Sequence, residues 1–416
     1  MIQAVAERGY GAVTTRELVG LAGVSKRTLY DLFADKQDCF LAAFDLVVDH
    51  AVERIAAAYE GGRDWRGSLC DAFAAFTLEV ERDRCASRLV LVEALGAGPE
   101  ALARMERAAA RFEAMVTVSF EQAPGNVPVA PIVVQGIVAG VARVARVRLM
   151  EDRAGELPEL AGELLDWALC YRCERVARLA GLLREPVPGR AVGEERRTGI
   201  LGSGPQQDTR ARMMRATLEL AACDGYEAVK LAAIVSRAGV SRRAFVQEFT
   251  DPQTCFLAAF EQLGEETLAI ADEAVGETAG LPGSVYRAVA ALTDRLARDE
   301  VLARVMFVEI FALGPAGLAS RESLMERLTE AMTAALATQP PRRKGPSEMM
   351  LQASAGAIWG IAHSHVVAGR ARQLPALAGH MTYMLLAPIL GPERAVQEIL
   401  AEHARMQAVA GSRLGR

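Results

Sequence analysis

The sequence predicts an all-helical protein built from two copies of one structural unit. Apolar residues recur with the period of an α-helix along almost the whole chain, and strand-like alternation is nearly absent. Short motifs appear twice at a constant spacing, and a stretch rich in proline and glycine separates the two sets. Together these observations indicate two similar helical units joined by a linker.

The repeat has an offset of 216 residues, as shown by the segment Cys39–Phe44, which returns unchanged as Cys255–Phe260. An offset of this length corresponds to a whole domain, whereas solenoid repeats are much shorter. The same offset relates Gly9-Tyr10 to Gly225-Tyr226, Ala22–Ser25 to Ala238–Ser241, Val92-Glu93 to Val308-Glu309, and Gly98-Pro99 to Gly314-Pro315.

The predicted helices follow one another in the same order in both copies. In the first copy, two short helices are followed by a long helix that begins after Asp35 and ends near Tyr59. In the second copy, Asp251 and Pro252 provide the same start, with proline at the first helical position. Further helices are predicted at 66–82, 85–95, 99–121, 131–151 and 157–184, and at 210–223, 283–298, 300–312, 315–337, 347–371, 374–390 and 392–409.

Residues 14–33 have the spacing of a helix-turn-helix, in which Gly23 forms the tight turn and Ser25 caps the second helix. The apolar spine predicted for this motif consists of Leu18, Leu21, Val24, Leu29 and Phe33. The outer surface would then carry Lys26, Arg27, Thr28 and Tyr30. Cationic and hydroxyl groups at the start of such a helix suit the major groove of DNA. A short helical pair with a solvated basic face is the alternative explanation.

Further motifs of the first copy are Glu7–Tyr10, Thr14-Thr15, Thr28–Tyr30, Phe33 and Lys36. With the helix-turn-helix, they resemble the DNA-binding domain of the tetracycline-repressor (TetR) family of bacterial regulators. The resemblance implies that phosphates are held by Thr15, Tyr30 and Lys36. It implies that the groove is faced by Lys26, Arg27 and Thr28. Arg16 and Ser25 complete the surface expected to contact DNA.

The second copy departs from this pattern. The counterparts of Thr15, Thr28, Tyr30 and Lys36 are Leu231, Ala244, Val246 and Pro252. The residues that remain candidates for DNA contact are Lys230, Arg237, Ser241, Arg242 and Arg243. Either this second head binds a different half-site, or it has become mainly a structural partner.

The resemblance implies two tandem TetR-like units, each with an N-terminal helix-turn-helix domain and a C-terminal helical bundle for ligand sensing and pairing. The linker is predicted at 185–209, which holds three Pro and five Gly. The domain limits are then 1–46 and 210–262 for the helix-turn-helix domains, and 47–184 and 263–416 for the bundles. Met1 aligns with Thr217, so the first helix of the first copy is short, and a true start upstream of Met1 is an open alternative.

Composition favours the cytoplasm, because seven scattered cysteines suit a reducing compartment and no signal peptide is visible. The Cys170–Cys173 pair is expected to pack in a helix rather than form a redox or metal pair. Uncharged stretches at 122–142 and 349–369 contain prolines or polar residues, so no membrane helix is expected.

No phosphate-binding loop, metalloprotease motif or nucleophile elbow is present, so neither an enzyme nor a cofactor is predicted. Trp65, Phe73, Phe76 and Phe112 are expected in the core, with the lining of a ligand pocket as the alternative.

The function predicted from these features is sequence-specific binding of double-stranded operator DNA to regulate transcription, as a repressor released by a small molecule. The alternative is a ligand-binding or protein-interaction module whose DNA reading has decayed. The chain is expected to be monomeric, with its two copies packed as an intramolecular pseudo-dimer. Pairing is predicted through 132–147 and 160–179 of the first copy and 349–367 and 377–389 of the second. Close approach of these helices is expected at Gly136, Gly140, Gly356 and Gly360.

Overall fold

The computed structural model is helical, as predicted, and the part of the chain that it describes holds no β-strand. It describes residues 1–125, 127, 129–181, 209–274, 280–337 and 346–414. The predicted linker therefore lies outside the described residues, except for Thr209, which begins a helix. The predicted domain limits remain predictions.

The helices of the first copy are α1 (Ile2–Arg8), α2 (Thr15–Ala22), α3 (Lys26–Leu32), α4 (Lys36–Gly61), α5 (Trp65–Arg82), α6 (Arg84–Leu91), α7 (Pro99–Gln122), α8 (Pro131–Met150) and α9 (Leu157–Leu169). Those of the second are α10 (Thr209–Asp224), α11 (Leu231–Ala238), α12 (Arg242–Glu248), α13 (Pro252–Ala274), α14 (Leu281–Arg298), α15 (Glu300–Phe307), α16 (Gly314–Ala337), α17 (Glu348–Val367), α18 (Ala378–Leu390) and α19 (Pro392–Leu414). Short 3₁₀ helices span Glu93–Gly96, Ala154–Glu156, Glu174–Gly181, Tyr226–Ala228, Glu309–Leu313 and Ala371–Leu377.

The predicted starts of the two long helices are confirmed. Asp35 accepts a hydrogen bond from the Asp38 amide at 2.8 Å and caps α4. Asp251 accepts from the Thr254 amide at 2.8 Å, and Pro252 occupies the first position of α13. The same local sequence signal therefore sets the start of α4 and of α13.

Several predicted helix ends are wrong. The ends predicted at 95 and 312 lie at Leu91 and Phe307, where short 3₁₀ helices follow. Two further ends have clear causes. The helix predicted to reach 184 ends at Leu169, and the chain turns where Arg172 stacks on the Trp65 ring at 4.9 Å and donates to the Pro124 carbonyl at 3.0 Å. The helix predicted to reach 371 ends at Val367, because Gly369 adopts the left-handed conformation, with φ of 67°. Both ends lead into 3₁₀ turns.

The described residues form two compact units. Unit 1 contains residues 1–174 and 346–361, and unit 2 contains residues 175–345 and 362–416. In unit 1, α4 packs on α5, α5 packs on α9, and α7 packs on α8. The helix-turn-helix joins this bundle through a core that includes Val5, Leu18 and Phe40.

The first part of α17 belongs to unit 1 and packs closely on α8 and α9. Trp167 Nε1 donates to Ser354 Oγ at 3.1 Å, and Arg143 Nη1 donates to the Gln352 carbonyl at 3.0 Å. A Cβ atom placed on Gly140 would lie 2.6 Å from the Ala353 carbonyl oxygen, and one on Gly356 would lie 2.6 Å from Arg143 Cβ. Glycine at these two positions thus allows the backbones to approach.

Unit 2 repeats the bundle and adds α19, which packs on α14 and α18. Buried Glu402 of α19 accepts from Arg287 Nη1 at 2.7 Å, and His403 Nδ1 lies 2.9 Å from the Tyr286 hydroxyl. These polar contacts fix the position of the amphipathic helix α19 along α14.

Within the described residues, no single helix is long and apolar enough to span a membrane. Two consecutive helices, Glu300–Phe307 and Glu309–Ala334, would meet the length and composition test together, with a bend of 42° between them.

Candidate nucleic-acid interface and interior cavity

The start of α3 is fixed by Ser25. Its hydroxyl accepts a hydrogen bond from the Thr28 amide at 3.0 Å, and Ser25 Oγ lies 2.9 Å from Thr28 Oγ1. The turn before it is closed by Gly23, which has φ of 64° and adopts the left-handed conformation open to glycine. Local sequence therefore determines where the first turn of α3 begins and which way its side chains project.

The side chains predicted to face the groove lie on the exposed surface of α3. Lys26 and Thr28 are exposed, and Tyr30 is 54% exposed. The Arg27 side chain is 91% exposed and its Nε lies 3.9 Å from Asp31. An exposed ion pair of this kind contributes at most about 1 kcal/mol to stability. Asp31 therefore competes only weakly with any other anion for the Arg27 guanidinium.

The start of α2 has a reciprocal cap. Thr14 Oγ1 accepts from the Glu17 amide at 3.3 Å, and the Thr14 amide donates to Glu17 Oε2 at 2.9 Å. The Glu17 carboxylate accepts from the Thr14 amide and from Thr14 Oγ1, the latter at 3.0 Å, and these two bonds, together with the Arg8 ion pair, hold the pKa of Glu17 below its usual value. Thr15 is half-buried at the first position of α2, and Arg16 is exposed beside it.

Lys36 is already bound within its own copy. Its Nζ donates to the Tyr10 carbonyl at 3.0 Å and lies 4.3 Å from the centre of the Tyr10 ring. Burial lowers the pKa of this ammonium group. The Tyr10 ring in turn makes an edge contact with Phe40, at 4.7 Å between centres. Lys36 thus fastens the end of α1 to the start of α4, a role that the sequence did not suggest.

The second head presents a different set of groups. Ser241 caps α12 by accepting from the Ala244 amide at 3.1 Å, and Arg242 and Arg243 are exposed at the first two positions. Lys230 is exposed immediately before α11. Arg237 is exposed but lies 2.9 Å from Glu219, with which it forms an ion pair.

The second head also has a brace from its own first helix. Arg212 of α10 donates from Nε to the Ala238 carbonyl at 3.0 Å and from Nη2 to the Gly239 carbonyl at 2.7 Å. Arg210 lies 4.5 Å from the centre of the Phe249 ring. These contacts satisfy carbonyl groups at the end of α11 and cover the far end of α12.

The predicted apolar spine of the first head is only partly buried. Leu18 and Leu29 are buried, but Leu21 is 59% exposed, Val24 is 40% exposed and Phe33 is half-buried. The prediction is therefore wrong for Leu21 and Val24. Spacing identifies the face that these residues share, but it does not show how much of that face other helices cover.

Each head is attached to its bundle by a glutamate at a matching position. The Tyr10 amide donates to Glu93 Oε2 at 2.9 Å, and the Tyr226 amide donates to Glu309 Oε2 at 2.9 Å. Both glutamates are buried. A hydrogen bond from a backbone amide to a buried carboxylate is among the stronger kinds. The repeated Val-Glu motif was a signal for this attachment, although its structural role was not evident from sequence.

The bundle of the first copy contains a cavity of about 210 Å³. Its walls come from α4, α5, α6, α7 and α8 and are largely hydrocarbon. Lining residues include Phe44, Val48, Phe73, Phe76, Phe112, Val116 and Ile137. Phe73, Phe76 and Phe112 were expected in the core first and as pocket lining second. Helical spacing shows that a side chain points inward, but it does not show whether opposing side chains meet.

Arg146 links the cavity wall to the end of α6. Its side chain lines the cavity and its Nε donates to the Leu91 carbonyl at 2.6 Å. Leu91 lies two residues before Glu93, which binds the Tyr10 amide. A continuous chain of contacts therefore joins the cavity to the helix-turn-helix within unit 1.

The Cys170–Cys173 pair consists of two free thiols, and all seven cysteines of the chain are unpaired. Burial raises the pKa of the Cys170 thiol, which makes it less reactive. Among the described residues, no group of three or more His, Cys, Asp or Glu side chains has a geometry suited to a metal ion.

The architecture of the two heads is that of a bacterial regulatory protein with a helix-turn-helix. Residues 2–43 and 213–259 both match the model of the family described as "Bacterial regulatory proteins, tetR family". Both segments are therefore similar to the DNA-binding domain of this family.

A curated relative is the HTH-type transcriptional activator FasR of Mycolicibacterium smegmatis, which is 32% identical over 100 residues. The matched region is 24% of this chain and 46% of FasR, so the similarity spans about half the length of that relative.

Two solved structures are also similar. FadR from Bacillus subtilis, a transcriptional regulator in complex with stearoyl-CoA, is 16% identical with a TM-score of 0.37 over 40% of this chain and 92% of its own. The fatty acid degradation regulator FadR from Bacillus halodurans is 18% identical with a TM-score of 0.38 over 44% of this chain and 97% of its own.

Proposed function

We propose that the chain is a DNA-binding regulator of transcription in the bacterial cytoplasm. The observation that carries the proposal is the pair of capped helices, α3 and α12, each of which presents two exposed cationic side chains at its first two positions. Both lie in segments that match the tetR family. Exposed cations at the start of a helix suit contact with phosphates and base edges in a major groove.

The two copies are proposed to pair within one chain, so that one 44.6 kDa monomer carries two DNA-reading heads. The packing of the first part of α17 on α8 and α9 supports this pairing, because it joins segments from both copies in one compact unit. Sedimentation at low micromolar concentration should give the monomer. A stable two-chain species without detectable monomer would contradict intramolecular pairing.

DNA binding is proposed to respond to a small-molecule effector, and the cavity of the first copy is the candidate effector site. The contacts from Arg146 to Leu91 and from Glu93 to Tyr10 support this assignment, since they connect the cavity wall to the first head. A bound molecule that moved Arg146 would disturb the attachment of that head.

Selection of bound sequences from random double-stranded DNA tests the function. We expect a recovered motif with two unequal half-sites about ten base pairs apart, since the two heads present different side chains. Two equal inverted half-sites would contradict the assignment of one site to two different heads. Failure to enrich any motif would favour a ligand-binding or interaction module without DNA reading.

A matched pair of variants tests which head carries more affinity. Lys26→Ala with Arg27→Ala and Arg242→Ala with Arg243→Ala change equivalent positions of α3 and α12. The first pair should weaken binding more, because only α3 also offers the hydroxyl groups of Thr28 and Tyr30. It should flatten the dependence of log K on log salt by roughly one to two units if two phosphate contacts are lost. A larger effect from the second pair would reverse the ranking.

A further inference from the structure

Two hydrogen bonds join the first part of α17 to α8 and α9, and in both of them the donor belongs to the first copy. Arg148 Nη1 of α8 donates to Gln352 Oε1 at 3.1 Å. Trp167 Nε1 of α9 donates to Ser354 Oγ at 3.1 Å. Arg148, Trp167 and Ser354 are buried. The second copy therefore supplies the side-chain acceptors that these donors need.

The helices α8 and α17 cross at equivalent glycines. Gly140 of α8 and Gly356 of α17 are counterparts at the offset of 216 residues. A Cβ atom on Gly356 would lie 3.2 Å from Gly140 Cα, so the two backbones touch at this point. Equivalent residues meet where a pair has two-fold symmetry. A pair of two first copies, built on the same crossing, would therefore place each residue of a second α8 where its counterpart on α17 now lies.

Such a pair of first copies would lack both side-chain acceptors. The counterparts of Gln352 and Ser354 are Gly136 and Val138, which have no oxygen or nitrogen in their side chains. The indole N–H of Trp167 would then lie against hydrocarbon on both sides of the pair. A buried donor that loses its acceptor bears its full cost of desolvation. The first copy is thus a poor partner for itself.

A third contact runs in the opposite direction and discriminates in the same way. The Ser347 hydroxyl, at the start of α17, donates to the Glu163 carboxylate of α9. The counterpart of Ser347 is Pro131, which has neither a hydroxyl nor a backbone N–H. In a pair of two first copies, Glu163 would therefore face a residue that cannot donate a hydrogen bond.

Charge also distinguishes the two kinds of pair. Arg143 of α8 is buried beside the crossing, and a Cβ atom on Gly356 would lie 2.6 Å from Arg143 Cβ. The counterpart of Arg143 is Trp359, which is buried and uncharged. A pair of two first copies would bury two guanidinium groups at one crossing, where the observed contact buries one. Like charges repel strongly where water is excluded.

We propose that the surface formed by α8 and α9 selects residues 347–356 of α17 as its partner and rejects a second copy of itself. The choice of partner then follows from side chains as well as from the linker that joins the copies. This inference rests on the proposed pairing within one chain and deepens it. It implies that unlike copies find each other even after the covalent connection between them is cut.

A protease site inserted in the predicted linker tests the proposal, because the full chain can be cut after it has folded. Cut protein is mixed with cut, isotope-labelled protein at low micromolar concentration and followed by native mass spectrometry. The temperature is raised until pairs of labelled and unlabelled fragments appear, which shows that pairs open and re-form. If none appears below the unfolding temperature, the cut fragments are refolded together from urea and assessed in the same way.

We expect nearly all re-formed pairs to join a first copy to a second copy. Pairs of two first copies should be at least about tenfold rarer than random assortment gives, because each loses several hydrogen bonds to half-buried or buried groups.

A double variant removes the acceptors alone. Gln352→Ala with Ser354→Ala should raise the dissociation constant of the cut pair at least about tenfold. Glu330→Ala with Thr333→Ala, at exposed positions of α16, is the matched control and should leave it unchanged. Circular dichroism of each intact variant separates loss of pairing from loss of folding, and an unfolded double variant is replaced by Ser354→Ala alone.

Three results would overturn the inference. Pairs of two first copies at the level of random assortment would refute the selection of an unlike partner, while leaving pairing within the chain and DNA binding in place. Unchanged affinity in the acceptor variant would show that the hydrogen bonds do not select. Separation of the cut chain into unpaired fragments would remove the proposed intramolecular pairing as well.

Discussion

Replacement of Arg146 should weaken the attachment of the first DNA-reading head without changing any residue of that head. Arg146→Met keeps an unbranched side chain of similar length against the cavity but removes the donor to the Leu91 carbonyl. That carbonyl belongs to the last residue of α6, where helical hydrogen bonds end, so it depends on partners outside the helix. The next turn of chain carries Glu93, which holds the Tyr10 amide.

The expected magnitude follows from the 2.6 Å distance between Arg146 Nε and the Leu91 carbonyl oxygen. A hydrogen bond with one charged partner contributes about 1.5–3 kcal/mol. If about half of this loss reaches the bond between Glu93 and Tyr10, its opening free energy falls by roughly 0.7–1.5 kcal/mol. The exchange rate of the Tyr10 amide should then rise about three- to tenfold, because 1.36 kcal/mol corresponds to a factor of ten.

Hydrogen exchange resolved at single amides measures this effect with an internal control. The Tyr226 amide is bound by Glu309 at the same distance of 2.9 Å in the second copy, and its exchange should not change. Arg153→Met, which alters an exposed arginine beyond the end of α8, should change neither amide. An equal rise at Tyr10 and Tyr226 would indicate general destabilisation, and an unchanged Tyr10 amide would refute the coupling.

Three further outcomes are expected. Arg212→Ala should lower the free energy of unfolding by about 1–3 kcal/mol in urea, because it removes charged donors from the partly buried Ala238 carbonyl and from the Gly239 carbonyl, while Arg237→Ala should cost under about 1 kcal/mol. Gly140→Ala should lower the melting temperature, because its Cβ would lie 2.5 Å from a tryptophan ring, whereas Gly162→Ala, with open space around it, should raise it slightly. The hydrogen bond from the Thr254 amide lowers the pKa of the Asp251 carboxyl, so the contribution of this carboxyl to stability is present above its unfolded pKa of about 4 and is lost as pH falls through the lower folded value. Asp251→Asn should reduce the loss of stability measured below pH 4.

The helix starts were predictable because their causes are local. Asp35 and Asp251 act within one helical turn, and Gly23 and Ser25 act within three residues. The same locality made the exposed positions of α3 readable from spacing alone. The ends of α9 and α17 were harder to predict, because one depends on Arg172 reaching Trp65, which lies far away in the sequence.

Lys36 makes contacts within the first copy that the sequence did not predict. The family resemblance assigned it to a DNA phosphate, and the structure gives its ammonium group two contacts with Tyr10. Both depend on how α1 meets α4, which no single motif specifies. The cavity could not be located from the sequence for a related reason. Its shape depends on how five helices pack together rather than on any one helix.

Differences between the copies have a physical explanation in the fusion itself. In a symmetric homodimer, any change to one head or one bundle appears twice, so a loss of ligand binding or DNA contact is doubled. In the proposed intramolecular pair, tethering would keep the two partners together at an effective concentration on the order of millimolar, whatever each has lost. The second copy could then lose hydroxyl groups on α12 while Arg212 braces its head. The first copy keeps a cavity in its bundle and hydroxyl groups on α3.

A ligand that acts through one bundle would then alter the geometry of one head directly. The other head would retain its own attachment through Glu309, so DNA affinity would fall by the contribution of a single half-site.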